Sequence, residues 1–193
     1  MEMKPTSPPS WLKKLTRIII DLTPRERPLR LAILGIGHEL RGDDAAGLAV
    51  VRRLDRTGFS EADLTGFEQT KSANLSGLVL DGGPAPENQT GALRQFGPDL
   101  VVMVDAAQMD APPGTVAWLD LDEIDGVSAV THLLPLNMLA RYLVHELGCA
   151  VGMIGIQPAQ TEVLAELSAV VETAVVDIVT AFWGLGGFAS RET

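Results

Sequence analysis

The chain alternates short apolar runs with longer stretches in which apolar residues recur every three or four positions. Apolar runs bounded by glycine, proline or acidic residues predict buried strands, and the longer period predicts helices with one buried face. We therefore predict strands at Leu31–Leu34, Gly77–Leu80, Leu100–Val104, Thr115–Leu119 and Cys149–Ile156. Helices are predicted at Ala45–Leu54, Asn88–Phe96, Leu136–Leu147 and Leu164–Phe182, with a loop or short helix at Ser60–Leu75.

The connection between the third and fourth strands sets their relative direction. Ten residues separate Val104 from Thr115, and they include Pro112, Pro113 and Gly114. A parallel return needs roughly a dozen or more residues, so we predict that the fourth strand runs antiparallel to the third. Elsewhere strands alternate with helices, which predicts an α/β fold. The expected architecture is a three-layer α/β/α sandwich with a mostly parallel five-stranded sheet and one antiparallel strand.

The beginning of the chain differs in character from the rest. We predict an N-terminal extension over residues 1–29 and one domain over residues 30–193. Within the extension, Trp11–Leu22 has apolar residues at helical spacing, and the stretch Thr23–Pro28 ends this short amphipathic helix. The helix could bind a membrane surface or a partner, or pack on its own domain. We expect it to pack on its own domain.

Composition and charge narrow the class of protein. Hydrophobic residues make up 46% and charged residues 21% of the 193 residues, which is typical of a globular chain. The formal net charge of −10 argues against nucleic-acid binding, which needs clustered Lys and Arg. The same charge is compatible with a basic peptide partner, although many enzymes are simply acidic.

Cysteine content and hydropathy bear on the compartment. Cys149 is the single cysteine, so the chain can form neither an internal disulfide nor a cysteine-based metal cluster. Ile18–Ile20 is too short for the apolar part of a signal peptide and has charged neighbours. Because no run reaches about 20 apolar residues, we predict no membrane insertion and a cytoplasmic location.

Polar residues follow four of the predicted strands. Open α/β sheets bind ligands outside the carboxyl ends of their strands, so these residues are expected to meet at one edge of the sheet. They lie in Gly35–Asp44 after the first strand, in Asp81–Gly83 after the second, at Asp105 after the third and at Gln157 after the fifth.

The loop after the first strand is not a dinucleotide-binding turn. Gly35 and Gly37 match the first two glycines of that fingerprint, but Leu40 stands where the third is required. The carboxylates of Asp43 and Asp44 would also repel a pyrophosphate. One of the two could cap the following helix, but capping needs only one carboxylate.

Asp105 and His132 complete the candidate chemistry. Asp105 follows five apolar residues, which makes a purely solvent-exposed role less expected, whereas a lone histidine such as His132 is more often structural. Two carboxylates and an imidazole form a reasonable three-ligand site for a divalent first-row metal, and they could also activate water or polarise a carbonyl. No serine lies in a G-x-S-x-G turn, and Cys149 is better interpreted as a core residue.

Five segments in order resemble the hydrogenase maturation endopeptidases, most closely the branch that serves the hydrogenase of formate hydrogenlyase. One such motif would be weak, but five in the family's order are specific. The resemblance runs from about Leu31 to the C-terminal helix and makes residues 30–193 the hydrogenase maturation protease domain. The matching segments are Leu34–Gly47, Asp81–Asn88, Val104–Ala106, Thr131–Asn137 and Ile154–Pro158.

The resemblance implies a substrate and a site. The enzyme would remove the C-terminal tail of a [NiFe]-hydrogenase large-subunit precursor, and Asp44, Asp105 and His132 would contact nickel already inserted in that precursor. The resting enzyme is then expected to be metal-free, with nickel supplied by its substrate. The same three residues are the catalytic candidates, and whether they carry the hydrolysis themselves stays open.

The loop of Gly37, His38 and Asp43 is assigned to substrate binding. The family usually has Asn where this chain has His38, and both residues can hold a left-handed turn and bond the nearby backbone. We expect a structural role for His38 in preference to metal ligation. Two other functions stay open: a different peptidase or amidohydrolase on the same scaffold, and a non-enzymatic chaperone that binds the nickel site.

Overall fold

A computed structural model describes residues 7–59, 75–124 and 136–185, together with the backbone of 128–129. The strands are β1 Leu29–Ile36, β2 Leu75–Gly83, β3 Leu100–Gln108, β4 Val116–Leu119, β5 Ser128–Ala129 and β6 Ala150–Ile156. The helices are α1 Ser10–Leu22, α2 Ala46–Arg56, α3 Thr90–Phe96, α4 Leu121–Ile124, α5 Leu136–Leu147 and α6 Ala169–Leu185, and single 3-10 turns cover Gly42–Ala45 and Pro86–Gln89.

The main sheet has the strand order β2-β1-β3-β6-β4. β2, β1, β3 and β6 run parallel to one another, and β4 runs antiparallel along β6 with Val116 opposite Ile156. The prediction of a mostly parallel five-stranded sheet with one antiparallel strand is confirmed. The very short β5 adds an antiparallel pairing at the end of β3, where Ala107 faces Ala129.

Alternating side chains of the central strands contribute to two separate hydrophobic cores, one on each face of the sheet. In β3, Val102 and Val104 pack with α1, α2 and α6, whereas Val101 and Met103 pack with α5 on the opposite face. Because successive side chains of a strand point to opposite faces, a run of apolar residues buried on both sides requires a cover on each. This arrangement confirms the predicted three layers.

Helix α1 packs on the domain that follows it. Trp11, Leu15 and Ile19 are buried in the same core as α2 and α6, and Lys14 forms an ion pair with Asp120 at 3.1 Å. The expectation that this helix packs on its own domain is confirmed. In the part of the chain that the structure describes, no helix is long and apolar enough to cross a membrane.

The predicted division between residues 29 and 30 falls inside a strand, because β1 begins at Leu29. The two oxygens of Asp99 accept hydrogen bonds of 2.6 Å from the Arg27 guanidinium, and one of them also accepts the Arg30 backbone N–H at 2.8 Å. This carboxylate ties the end of the extension to the start of β3. The division into an extension and a domain stays a prediction.

Most element boundaries differ from those predicted, and two of the differences bear on the site. β3 continues through Gln108, so Asp105 lies within the strand and not after it. α6 begins at Ala169, because residues 157–168 run as a loop that binds the loop after β1, as described below. The predicted loop or helix at 60–75 lies outside the described residues, except that Leu75 opens β2.

Candidate active site

The first turn of α2 lies directly on the ends of β1 and β3. A Cβ atom on Gly47 would be 2.1 Å from the carbonyl oxygen of Val104 and 2.4 Å from that of Ile36. Only glycine permits this approach, since real Cβ contacts are far longer. The approach sets the 3-10 turn that carries Asp43 and Asp44 beside β3. The structure thus brings the predicted carboxylates of Asp44 and Asp105 to the same edge of the sheet, and both are fully buried.

The loop of residues 37–44 closes on itself at Gly37. The Gly37 N–H donates to the carbonyl of Gly83 at 3.1 Å, and the His38 N–H donates to the carbonyl of Asp44 at 3.3 Å. Gly37 has φ 139°, and a Cβ atom there would lie 1.8 Å from the Asp44 carbonyl oxygen. Gly37 is therefore a determinant of where Asp44 stands.

His38 bonds the backbone of its own loop. Its Nδ1 accepts a hydrogen bond from the Leu40 N–H at 3.2 Å, which is the contact that an asparagine side chain makes two residues along a turn. In a neutral ring the proton is then on Nε2. This bond supports the structural role expected for His38.

Asp43 fastens the loop of residues 157–168. Its Oδ2 accepts the N–H groups of Ala159 at 2.7 Å and Gln160 at 3.0 Å, and also the Ser168 hydroxyl at 2.9 Å. Its Oδ1 accepts the Ser168 N–H at 2.7 Å. Asp43 does not cap α2, whose N-cap residue is Ala45. Four hydrogen bonds compensate the burial of this carboxylate, and they make it a structural anchor.

Backbone bonds join the same two loops. The Asp43 N–H donates to Gln160 at 2.9 Å, the Gly42 N–H to Ala165 at 3.2 Å, and the Leu164 N–H to the carbonyl of Leu40 at 2.7 Å. Residues 157–168 are therefore part of the rim of the candidate site. Their backbone groups are used here, which explains why α6 starts later than its apolar pattern suggested.

Gln157 holds the segment that follows β3. Its side-chain Oε1 accepts the Met109 N–H at 2.7 Å, and its backbone N–H donates to the carbonyl of Thr115 at 2.9 Å. The Gly114 N–H donates in turn to the carbonyl of Gln157 at 2.9 Å. Sequence reasoning found Gln157 as a polar strand-end residue and missed this role, because its partners are more than 40 residues away along the chain.

Asp105 lies on β3 opposite Gly155 of β6. Its Oδ1 accepts the N–H of Ala106 at 2.8 Å. Two residues further along β3, Ala107 pairs with Ala129 of β5. His132 follows Ala129 by three residues and lies outside the described part of the chain. The structure therefore places two of the three predicted site residues.

An ion-pair network borders the site on the β2 side. Arg52 of α2 donates from Nε to Asp81 at 2.7 Å and contacts Glu39 at 3.3 Å. Its hydrogen bond to Asp81 raises the pKa of Arg52 above its ordinary value. Asp81 also accepts the Gly83 N–H at 3.1 Å. The network links α2, β2 and the 37–44 loop.

The residues that the structure describes contain no cluster of three or more His, Cys, Asp or Glu side chains that could hold a metal. Asp44 and Asp105 supply two carboxylates of the predicted set, and the third member, His132, is not among those residues. Carboxylate oxygens and an imidazole nitrogen suit a divalent first-row metal.

Solved structures share this fold. The [NiFe] hydrogenase maturation protease HycI from Thermococcus kodakarensis superposes with a TM-score of 0.69 at 29% identity, over 89% of this chain and 99% of that one. The endopeptidase HycI from Escherichia coli gives a TM-score of 0.62 at 27% identity, over 86% and 100% of the two chains. The fold is that of an α/β peptidase of this type.

Sequence comparison gives the family. The chain is 29% identical to the hydrogenase 3 maturation protease of Escherichia coli K12 over 161 residues, which are 81% of this chain and 93% of the relative. The model of the HycI hydrogenase maturation protease family matches residues 66–184. The chain therefore belongs to the hydrogenase maturation protease family. It is an enzyme that hydrolyses peptide bonds.

Proposed function

We propose that this protease removes the C-terminal tail of a [NiFe]-hydrogenase large-subunit precursor that already carries nickel. The observation that carries the proposal is the burial of two carboxylates, Asp44 and Asp105, at the carboxyl edge of the sheet, where the 3-10 turn that holds Asp44 contacts β3. Ligands of open α/β folds bind at that edge. The names of the relatives, which refer to hydrogenase 3 and to [NiFe] hydrogenase, support the identity of the substrate.

In this proposal Asp44, Asp105 and His132 contact the nickel of the precursor. Carboxylate and imidazole donors match that ion, and a metal already held by the partner needs few ligands from the protease. The resting enzyme is proposed to be metal-free. Ala129 supports a place for His132 in this set, because it pairs with Ala107, two residues beyond Asp105.

The hydrolysis is proposed to use the same residues. A carboxylate takes a proton from the attacking water as the new C–O bond forms at the scissile carbonyl, and the proton passes to the leaving amide nitrogen as the C–N bond breaks. A divalent metal beside that carbonyl would stabilise the developing negative charge. Burial of Asp44 and Asp105 strengthens such interactions, because little water screens them.

Gly37, His38 and Asp43 are proposed to serve substrate binding in two ways. Gly37 and Asp43 fix the shape of the 37–44 loop through the contacts described above. His38 can donate from Nε2 to a carbonyl of the bound peptide, because its Nδ1 already accepts the Leu40 N–H.

The test compares nickel-loaded and nickel-free precursor by mass spectrometry. We expect trimming of the loaded precursor alone, and none by Asp105→Asn. Asp122→Asn, which changes an exposed carboxylate on α4 in the same way, serves as the matched control and should cleave normally. Equal trimming of both precursor forms would overturn the nickel requirement, and normal trimming by Asp105→Asn would overturn the site.

The same assay separates the two other functions. A general peptidase or amidohydrolase would digest an unfolded casein-like protein, which the proposed enzyme leaves intact. A nickel-site chaperone would bind the precursor without changing its mass. Membership of the hydrogenase maturation protease family favours cleavage of a hydrogenase precursor over both. The cytoplasmic location stays a prediction from the sequence.

A further inference from the structure

Three exposed apolar residues lie on the paired loops beside the candidate site. Leu40 is 50% exposed, Val163 66% and Leu164 76%. Leu40 belongs to the loop that carries Asp43 and Asp44, and its carbonyl accepts the Leu164 N–H at 2.7 Å. We call these three residues the apolar lip. Single exposed apolar residues are ordinary, but here three occur together on the loops that form the site.

The backbone at Leu164 has an unusual conformation. Its φ of 63° lies in the left-handed region, which a leucine rarely adopts and which usually selects Gly, Asn or Asp. Among the described residues, Leu164 is also the most exposed of the large apolar side chains. The left-handed conformation does not bury the Leu164 side chain. Backbone strain of this kind is often found at binding sites.

Acidic residues flank the apolar lip along the chain. Glu162 directly precedes Val163 and Glu166 follows Leu164 by two positions, whereas Glu39, which precedes Leu40, is paired with Arg52 at 3.3 Å. All three glutamates are exposed. A surface of this kind complements an apolar segment with neighbouring Lys or Arg, because the glutamates would repel an acidic peptide.

We infer that the apolar lip binds an apolar, basic-flanked segment of the precursor next to the bond that is cut. The inference rests on the proposed function and adds a substrate-recognition surface to it. Continuity with the candidate site carries it. Hydrogen bonds from Leu164 to Leu40 and from residues 159, 160 and 168 to Asp43 join the apolar lip to the loop that holds Asp44. A peptide held on the lip is thereby registered against Asp44.

The experiment uses the full chain and the nickel-loaded precursor. In the triple variant Leu40→Ser, Val163→Ser and Leu164→Ser we expect KM to rise at least about tenfold with kcat within about twofold, as when apolar anchors are removed from a binding surface. The control, Ile20→Ser with Val176→Ser, replaces side chains that are 61% and 47% exposed on α1 and α6 and should leave KM unchanged. Melting temperatures verify that both variants are folded.

Charge is tested separately. The double variant Glu162→Gln and Glu166→Gln should raise KM about threefold at low salt, and the difference should vanish at high salt because exposed charges are screened. Binding of the precursor to Asp105→Asn, with and without the triple change, gives affinity without turnover. An unchanged KM and affinity in the triple variant would overturn the inference that the apolar lip binds the precursor. The proposed function would still stand in that case if the wild type cleaves the nickel-loaded precursor. A wild type that neither cleaves nor binds the precursor would overturn both.

Discussion

A Cβ atom on Gly47 would lie 2.1 Å from the carbonyl oxygen of Val104, the residue that precedes Asp105. This contact links the first turn of α2 to the strand that carries one candidate carboxylate, while Asp44 precedes the same turn. The two carboxylates are therefore positioned by backbone packing, which leaves no room for a side chain between helix and strand.

We predict that Gly47→Ala lowers the free energy of unfolding by about 1–3 kcal/mol or more, because the atoms it meets are backbone and cannot rotate away. Cleavage should fall as well, since α2 must shift and take Asp44 with it. Gly91→Ala is the control: it lies in α3 with no atom within 4 Å of an added Cβ, and it should be neutral or stabilise by up to about 1 kcal/mol. Denaturant unfolding of the two variants measures the difference, and equal stabilities would contradict this account of the packing.

A second prediction concerns Asp43. Asp43→Asn keeps the shape of the side chain but replaces one acceptor oxygen by an N–H₂ group that faces protein donors. We expect a loss of about 1–3 kcal/mol in the free energy of unfolding and weaker cleavage, because the 157–168 loop is released from the site. The exposed Asp122→Asn should change neither quantity.

The two readouts of Asp43→Asn also separate its possible roles. Lost cleavage with unchanged stability would show that Asp43 acts on the substrate itself and not as an anchor. If Asp43 acts as an anchor, Asp43→Asn should keep part of its cleavage activity well below its melting temperature. The backbone hydrogen bonds between the two loops still form in this variant and hold the 157–168 loop near the site.

The sequence predicted the sheet, and it predicted that Asp44 and Asp105 lie at its carboxyl edge, because both follow from local patterns. Apolar runs marked the five strands of the main sheet but not the short β5, and the short link after Val104 indicated the antiparallel strand. What could not be predicted depends on distant contacts. The partners of Asp43 lie 116 to 125 residues along the chain, and they turn the stretch before Ala169 from helix into loop. The hydrophobic periodicity of a short stretch of sequence cannot indicate a contact with residues more than 100 positions away.

A third prediction concerns α1. Leu15 is fully buried in the core shared with α2 and α6, so Leu15→Ala should cost about 2–5 kcal/mol of unfolding free energy. Ile20, on the same helix, is 61% exposed, and Ile20→Ala should stay within about 0.5 kcal/mol of the wild type. Precursor trimming by Leu15→Ala should be near normal well below its melting temperature, because the candidate site residues lie beyond Leu31. Loss of trimming in a folded Leu15→Ala protein would instead assign α1 a role in docking the precursor.

The last prediction concerns acid stability. The hydrogen bond from the Arg27 guanidinium lowers the pKa of Asp99, an effect that partial burial opposes and that the Arg30 N–H reinforces. A carboxyl whose pKa is lower in the folded state than in the unfolded state stabilises the fold above the unfolded pKa of about 3.9, and this contribution is lost as the pH falls through the folded pKa. Asp99→Asn should therefore have a lower melting temperature than the wild type by a constant amount between about pH 5 and pH 7.

Below about pH 4 the two melting temperatures should converge, because protonation of Asp99 removes the same interaction that the substitution removes. The variant should also show a weaker response to salt near neutral pH, since the Arg27 side chain is 49% exposed and its attraction to Asp99 is screened. Melting curves of wild type, Asp99→Asn and the control Asp122→Asn across this pH range measure the effect. A difference that persists unchanged at the acid end would mean that Asp99 acts through packing and its neutral hydrogen bonds, and not through the ion pair that joins residue 27 to the start of β3.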